Sequence, residues 1–292
     1  MNFAYYLHDE TSQEEFEKTL LWFRRRYNLV SIHELKELVY EGKSLENACM
    51  LSVDDGWRST YDVIFPVMKK YGVPFTVFVS PEVMEKGRNF WYFTLRYCDE
   101  AEVKDIVVRR EWFSRDVKRY PAELILKEIP IDEVYDVLEE CLSKHPEISV
   151  PRGFMNSDET LELHRSGLVE IGAHTMTHPI LGLEDAERSR KEILDSVEKL
   201  SDLLGKQVTN FAYPNGMERV DYGEREMNFA KEAGIEMAFS VDPGLITASS
   251  NPLSIHRWGS MARLCFGRFG QYLPSRMNQA KIRSEIRKYK LK

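Results

Sequence analysis

Two kinds of segment alternate along much of this chain, and the alternation constrains its fold more than any single residue does. Short runs apolar on both faces recur: Phe3-Ala4-Tyr5-Tyr6-Leu7, Ala48-Cys49-Met50-Leu51-Ser52-Val53 and Pro74-Phe75-Thr76-Val77-Phe78-Val79. A strand apolar on both faces belongs to a parallel sheet covered by helices. Between the runs lie stretches of helical periodicity. Ser12-x-x-Glu15 forms a capping box ahead of Phe16, Leu20, Phe23 and Tyr27 at helical spacing. A second helix runs near His33 to Glu41 and stops at Gly42. A third leads to Tyr71-Gly72, with Pro66 inside its pattern marking a kink or a late start. Strand, helix, strand in this rhythm reads as right-handed βαβ units.

The rhythm lapses and then resumes. From about Arg88 to Val150 the sequence is charged and aromatic, headed by Phe90-Trp91-Tyr92-Phe93. Its clearest element is an amphipathic helix carrying Ile131, Val134, Tyr135, Leu138, Cys141 and Leu142. We read residues 88–150 as a mainly helical insertion packed on the rim of the barrel, the aromatic cluster serving that packing ahead of the alternative, lining a sugar site. Ser157-Asp158-Glu159 then caps a helix through His164, Gly167 stops it, and Val169 to Ala173 reads as a strand. A long helix from Asp185 to Leu204 follows, then a strand from Val208 to Tyr213 entering the turn Pro214-Asn215-Gly216. A helix from Glu224 to Glu232 precedes short strands at Met237 to Ser240 and Leu253 to His256. The whole of 1–292 reads as a single domain ending in a basic tail at about 260–292. From Arg257 onward there are ten Lys or Arg and one Glu, and a solvated basic helix is expected.

Charge and cysteine usage narrow the classes. A formal net charge of −7 argues against a general nucleic-acid binder. The four cysteines are scattered and form no C-x-x-C pair; Cys49 and Cys141 sit in apolar patterns as small hydrophobes. No basic n-region or long apolar run precedes Phe3, and no run reaches the roughly 20 apolar residues of a membrane span. As written, the chain reads as cytoplasmic, with no transmembrane segment; its oligomeric state is not legible.

Polar residues capable of chemistry cluster at one kind of position. His8, Asp54-Asp55, His174 and Tyr213-Pro214-Asn215 all stand just after the C-terminal end of an apolar run. In a β/α barrel such ends gather at one mouth whatever their separation in sequence. His174 and His178 are four apart, a spacing that lets two imidazoles reach one ion. Asp54-Asp55-Gly56 alone reads equally well as a solvated turn. Beside the histidine pair it acquires another meaning, because two His and one carboxylate with an open position form the ligand set of a catalytic zinc site.

These segments resemble the polysaccharide deacetylase family, of the NodB-homology, carbohydrate esterase 4 type, in its exopolysaccharide-deacetylase-like subgroup. Ser52-Val53-Asp54-Asp55-Gly56 resembles the family's first motif, Thr-Phe-Asp-Asp-Gly, and His174-Thr175-Met176-Thr177-His178 its second, His-Ser/Thr-x-x-His. Phe211-Ala212-Tyr213-Pro214-Asn215-Gly216 is similar to the third. The resemblance runs from about His8 to Arg257. It implies an α/β fold, a distorted (β/α) barrel of about seven strands, that removes acetyl groups from an N-acetylated sugar, oligosaccharide, polysaccharide or sugar conjugate. It implies that Asp55, His174 and His178 bind a divalent metal ion, zinc first and cobalt or nickel as alternatives. It further implies that Asp54 is the general base and that the backbone N–H of Asn215 holds the oxyanion.

The chain departs from the family at two points. Ala212 occupies the position of an arginine that orients the catalytic aspartate, and we expect Arg257, after the last short strand, to supply that guanidinium. The late histidine that serves as general acid matches only His256. Neighbouring strand residues face opposite ways, so His256 and Arg257 do not both enter the mouth. We place Arg257 there and take His8, in its Tyr-x-His-Asp setting, as the acid, with His256 the rival. Trp57, Tyr213 and Trp258 are candidate stacking surfaces for a sugar ring, each equally readable as core. A non-catalytic glycan-binding relative and an O-acetyl esterase on the same scaffold are the alternatives.

Overall fold

The computed structural model describes residues 2–7, 12–259 and 269–291. It divides into two compact units, Met1–Gly87 with Phe154–Phe269 and Arg88–Gly153 with Gly270–Lys292. Among the described residues, the first unit holds every strand: β1 (Phe3–Leu7), β2 (Asn28–Val30), β3 (Ala48–Val53), β4 (Phe75–Val79), β5 (Val169–Ala173), β6 (Asn210–Ala212), β7 (Met237–Phe239) and β8 (Arg257–Gly259). All pair in parallel. Seven follow one path, β7-β6-β5-β4-β3-β1-β8, and β2 pairs with β3 off it. Both β2 and β4 are partners of β3: β2 takes Ala48 to Met50, and β4 takes Ser52 and Val53. The two ends of the path meet where Phe239 bridges Ile255, just before β8. There Ile255 N–H donates to Ala238 C=O at 2.8 Å and Ser240 N–H to Ile255 C=O at 2.9 Å. The seven-stranded parallel sheet is thereby nearly closed into a distorted (β/α) barrel, as the alternation and the resemblance led us to expect.

Local chemistry explains the connecting helices. Ser12 and Ser31 each close a capping box, with Glu15 and Glu34 respectively, ahead of helices Gln13–Arg24 and Ile32–Glu41, and Gly42 ends the second in the left-handed conformation. Pro66 has no N–H to return to a preceding carbonyl. The turn before it, Thr60–Ile64, widens into a π-helix in which Phe65 N–H reaches Thr60 C=O, and an α-helix continues over Phe65–Tyr71. The Ser157–Arg165 helix is capped by Asn156, one residue earlier than expected. Its amide oxygen accepts from Glu159 N–H while the Glu159 carboxylate returns to the Asn156 N–H. Among the described residues, no helix is long and apolar enough to cross a membrane.

Alternate strand residues sort into two layers. Phe3, Tyr5, Leu7, Cys49, Leu51, Val53, Phe75, Val77 and Val79 belong to the larger core packed against the helices. Ala4, Met50, Phe78, Ala212, Met237 and Phe239 belong to a separate inner cluster. Two glycines make that interior possible. A Cβ on Gly172 would stand 2.6 Å from the Phe78 ring, and one on Gly259 would stand 2.2 Å from the ring of Tyr6, its partner in register. Both rings consequently turn inward, and the centre of the barrel is aromatic.

The second unit is helical around its own core, which includes Trp91, Val103, Ile106, Val107, Val134, Val137, Leu138, Cys141 and Ile286. The expected amphipathic helix spans Ile131–Ser143. Helix Phe269–Arg287 belongs to this unit from Gly270 onward. It is not solvated all round: Ile286 and Arg283 are buried, and Arg283 Nε donates to the buried carboxylate of Glu128 at 2.6 Å. The basic composition had concealed one inward face.

Candidate metal centre

Asp54 and Asp55 follow β3 and His174 follows β5, so parallel pairing through β4 brings these two strand ends to the same side of the sheet. There Asp55 Oδ1 lies 3.3 Å from Nε2 of His174 and 3.3 Å from Nε2 of His178. Ligand atoms of the three residues all fall within 4.8 Å of one another, the one such group among the described residues. His174 Nδ1 stands 2.6 Å from the Ala212 carbonyl, which can only accept. That bond places the proton on Nδ1 and leaves the Nε2 lone pair facing Asp55. Asp55 Oδ2 accepts from the indole N–H of Trp57 at 3.3 Å, whereas Oδ1 is buried with no hydrogen-bond donor among the described residues. An orphaned carboxylate oxygen between two imidazole nitrogens is a donor set that fits a divalent cation.

Electrostatics agree with that fit at Asp55 and His178. Burial pushes the Asp55 carboxyl up, but His174 and His178 outweigh it and hold the group well below its ordinary range, as a carboxylate. Burial dominates for His178 and holds that imidazole below its usual value. For His174 burial also pulls downward, but Asp55 and Asp54 together prevail and raise it. The site therefore offers an ionised oxygen and a neutral imidazole, with a second imidazole drawn toward positive charge.

Asp54 and Arg257 form the other half of the site. Nη1 and Nη2 of Arg257 donate to Oδ1 and Oδ2 of Asp54 at 2.7 and 2.8 Å, a two-pronged pair. Arg257 is wholly buried. Its Nε donates to the Ser240 carbonyl at 2.9 Å and its Nη1 also to Ser52 Oγ at 3.1 Å. Its guanidinium carbon lies 5.2, 5.4 and 5.7 Å from the ring centres of Tyr6, Phe78 and Phe239. The inward aromatic rings thus surround this cation. Arg257 is not placed after the last strand, as the sequence suggested. It is the first residue of β8, level with Ala4, and its side chain runs inside the barrel toward Asp54. The expected strand at Leu253 to His256 is only the bridge at Ile255, and His256 is exposed.

The remaining expected residues fare differently. Trp57 is 8% exposed, packs on Phe154 with ring centres 4.6 Å apart, and addresses Asp55. Tyr213 is 1% exposed, stacks on Tyr222 at 3.7 Å, and its hydroxyl donates to Leu253 C=O at 3.0 Å, which leaves no ring face for a sugar. Trp258 is partly exposed, and its indole N–H donates to the Gly244 carbonyl at 3.0 Å. Asn215 adopts φ 59° in the turn after β6. His8 lies outside the described residues.

Ser52, Trp57 as a donor and Glu192 are parts of the site that motif reading missed. Glu192 carried a visible signal. The buried positions of helix Ala186–Leu204 are Ser189, Glu192, Ile193, Ser196, Val197, Leu200 and Leu204, and a glutamate in such a stripe requires partners.

Comparison with known proteins follows the same lines. The family model described as polysaccharide deacetylase matches residues 41–238. YxkH of Bacillus subtilis (strain 168), provisionally named a polysaccharide deacetylase, is 20% identical over 265 residues, covering 90% of this chain and 70% of its own. The structure of IcaB from Ammonifex degensii superimposes with a TM-score of 0.62 at 16% identity, covering 96% of this chain and 98% of that one. The Streptococcus pyogenes deacetylase PplD, solved in complex with acetate, gives 0.59 at 15% identity, with 88% and 90% covered. At these identities the structural likeness is one of fold.

Proposed function

Because the chain belongs to the polysaccharide deacetylase family, we propose that it is a metal-dependent hydrolase that removes N-acetyl groups from a glycan or sugar conjugate. The observation that carries this reading is the two-pronged Arg257–Asp54 pair beside the Asp55, His174 and His178 cluster. Asp55, His174 and His178 would hold a divalent cation, zinc, cobalt or nickel. When bound, such an ion supplies Lewis acidity toward an acetyl carbonyl and toward water. Asp54 is the general base: held at both oxygens by Arg257, it accepts the proton of the attacking water. In this reading Arg257 performs the orienting role that an arginine at the Ala212 position has elsewhere in the family. The backbone N–H of Asn215 donates to the developing oxyanion. His8 protonates the departing amine, and Trp258 offers a ring to the sugar. Trp57 and Tyr213 are reassigned, the first to orienting Asp55 and the second to the core. The acetate bound to PplD is the product this reaction would release.

The test is release of acetate from N-acetylglucosamine oligomers by the full chain, before and after treatment with a chelator and after return of zinc. We expect release that the chelator abolishes and zinc restores. Release that persists without metal would remove the cation from the reading. Release only from an acetyl ester would make the protein an esterase, and binding without release a lectin-like relative.

A further inference from the structure

The turn joining the two imidazoles is unfavourable backbone. Thr175 and His178 have φ of 63° and 64°, a conformation that is unfavourable for an L-residue and more so for a β-branched one. Something must hold it. Thr175 secures one side: its Oγ1 accepts from His178 N–H at 3.0 Å and donates to His174 C=O at 2.5 Å. The other side is secured from a distance in sequence by Glu192. This carboxylate is 3% exposed. Its Oε2 accepts from the N–H groups of Met176 and Thr177, both at 2.9 Å, and its Oε1 from the Thr177 hydroxyl at 2.8 Å. Arg188 Nη2 lies 3.2 Å from Oε1 on the same helix. Two consecutive N–H groups converging on one anionic oxygen form a nest. Two of the three residues between the histidines, Met176 and Thr177, are thus tied to a single buried side chain, and the Glu192 carbonyl also accepts from Met176 N–H at 3.1 Å.

We propose that Glu192 is a positioning residue for the metal ligands: it holds the His174–His178 turn in its left-handed form and thereby sets the separation of the two Nε2 atoms and the affinity of the site. The inference rests on the metal-site reading above, but concerns a group that touches neither ion nor substrate. A plain structural anchor would differ in one respect. Its loss would lower the melting temperature and leave the metal affinity of the folded protein unchanged.

The experiment compares the full chain with E192A and E192Q, each stripped with chelator. Zinc affinity is measured by competition with a chromophoric chelator, ligand geometry by the visible spectrum of the cobalt form, and folding by thermal melting without metal. We expect E192A to bind zinc about 10–100-fold more weakly, the usual effect of losing a partner behind a metal ligand, with an altered cobalt spectrum. E192Q should recover most of the loss, because its amide oxygen accepts both N–H groups and its NH2 donates to the Thr177 hydroxyl. Should E192A not fold, T177V, which removes only the hydroxyl bond, carries the test with a smaller weakening in the same direction. Wild-type affinity and spectrum in E192A, or in T177V where that variant carries the test, would overturn the proposal. A wild-type chain that binds neither ion would overturn the metal-site reading, and this inference with it.

Discussion

Replacing Arg257 with methionine tests both the fold and the chemistry. Methionine keeps much of the length and suits the ring faces of Tyr6, Phe78 and Phe239. It removes both donors to Asp54, whose side chain is only 15% exposed, together with those to Ser52 and Ser240. Removing one partner of a buried pair costs about 3–5 kcal/mol, because the other charge stays behind uncompensated. The exposure of Asp54 argues for the lower end, so we expect about 3 kcal/mol in urea unfolding of the metal-free protein. The diagnostic comparison is with D54N/R257M. Neutralising the stranded carboxylate should return part of the stability, so the double variant should be more stable than R257M alone. Activity should follow another order. D54N should lose about 10²–10⁴-fold in kcat as a missing base, and R257M about 10²-fold through misplacement of that base. The double variant should be no slower than D54N, since no base remains to be positioned. An R257M protein within about 1 kcal/mol of wild type, the range of ordinary substitutions, and with unchanged kcat would refute this reasoning.

Three further outcomes are expected. G259A, which sets a Cβ 2.2 Å from the Tyr6 ring, should cost about 1–3 kcal/mol by overpacking; additivity with Y6L in thermal melts would count against that cause. In the second unit, Glu102 is held down to about 2, chiefly by Lys144 and then by His145, while Glu102 raises His145. The histidine's contribution to stability is complete below its ordinary pKa and is lost as pH rises through the raised one. The carboxylate's is present above the ordinary Glu range and is lost as pH falls toward about 2. The NMR titration midpoint of the His145 ring should fall in E102Q, and a midpoint that does not move would exclude the pairing. Finally, H256A should leave kcat near wild type because His256 is exposed, whereas H8A should lower it; equal rates in the two would remove His8 as the acid.

Four of the strands and the grouping of Asp55, His174 and His178 were legible because each depends on a local pattern. Runs apolar on both faces announced β1, β3, β4 and β5, and the metal-ligand spacing of His174 and His178 announced the centre. Strand β2 was missed because Asn28–Val30 is too short to establish a period. The last strand was set a few residues early because Leu253 to Gly259 carries no alternation that distinguishes a bridge at Ile255 from pairing at Arg257. Aromatic side chains were the least legible. Nothing in their spacing reveals that the Trp57 indole addresses Asp55 or that Tyr213 lies flat on Tyr222. Those are tertiary facts. A solvated sugar platform and a core ring have the same composition.

The pair joining Asp54 to Arg257 spans 203 positions of the chain, and this orders events during synthesis. Asp54, Asp55, His174 and His178 are all translated before the strand that carries the guanidinium. A nascent chain ending short of β8 would hold every ligand of the proposed metal centre and none of the orientation of its base. Docking of β8 beside β1 closes the ring and delivers Arg257 in one step. In the proposed reading, the base is therefore oriented only once the barrel is complete.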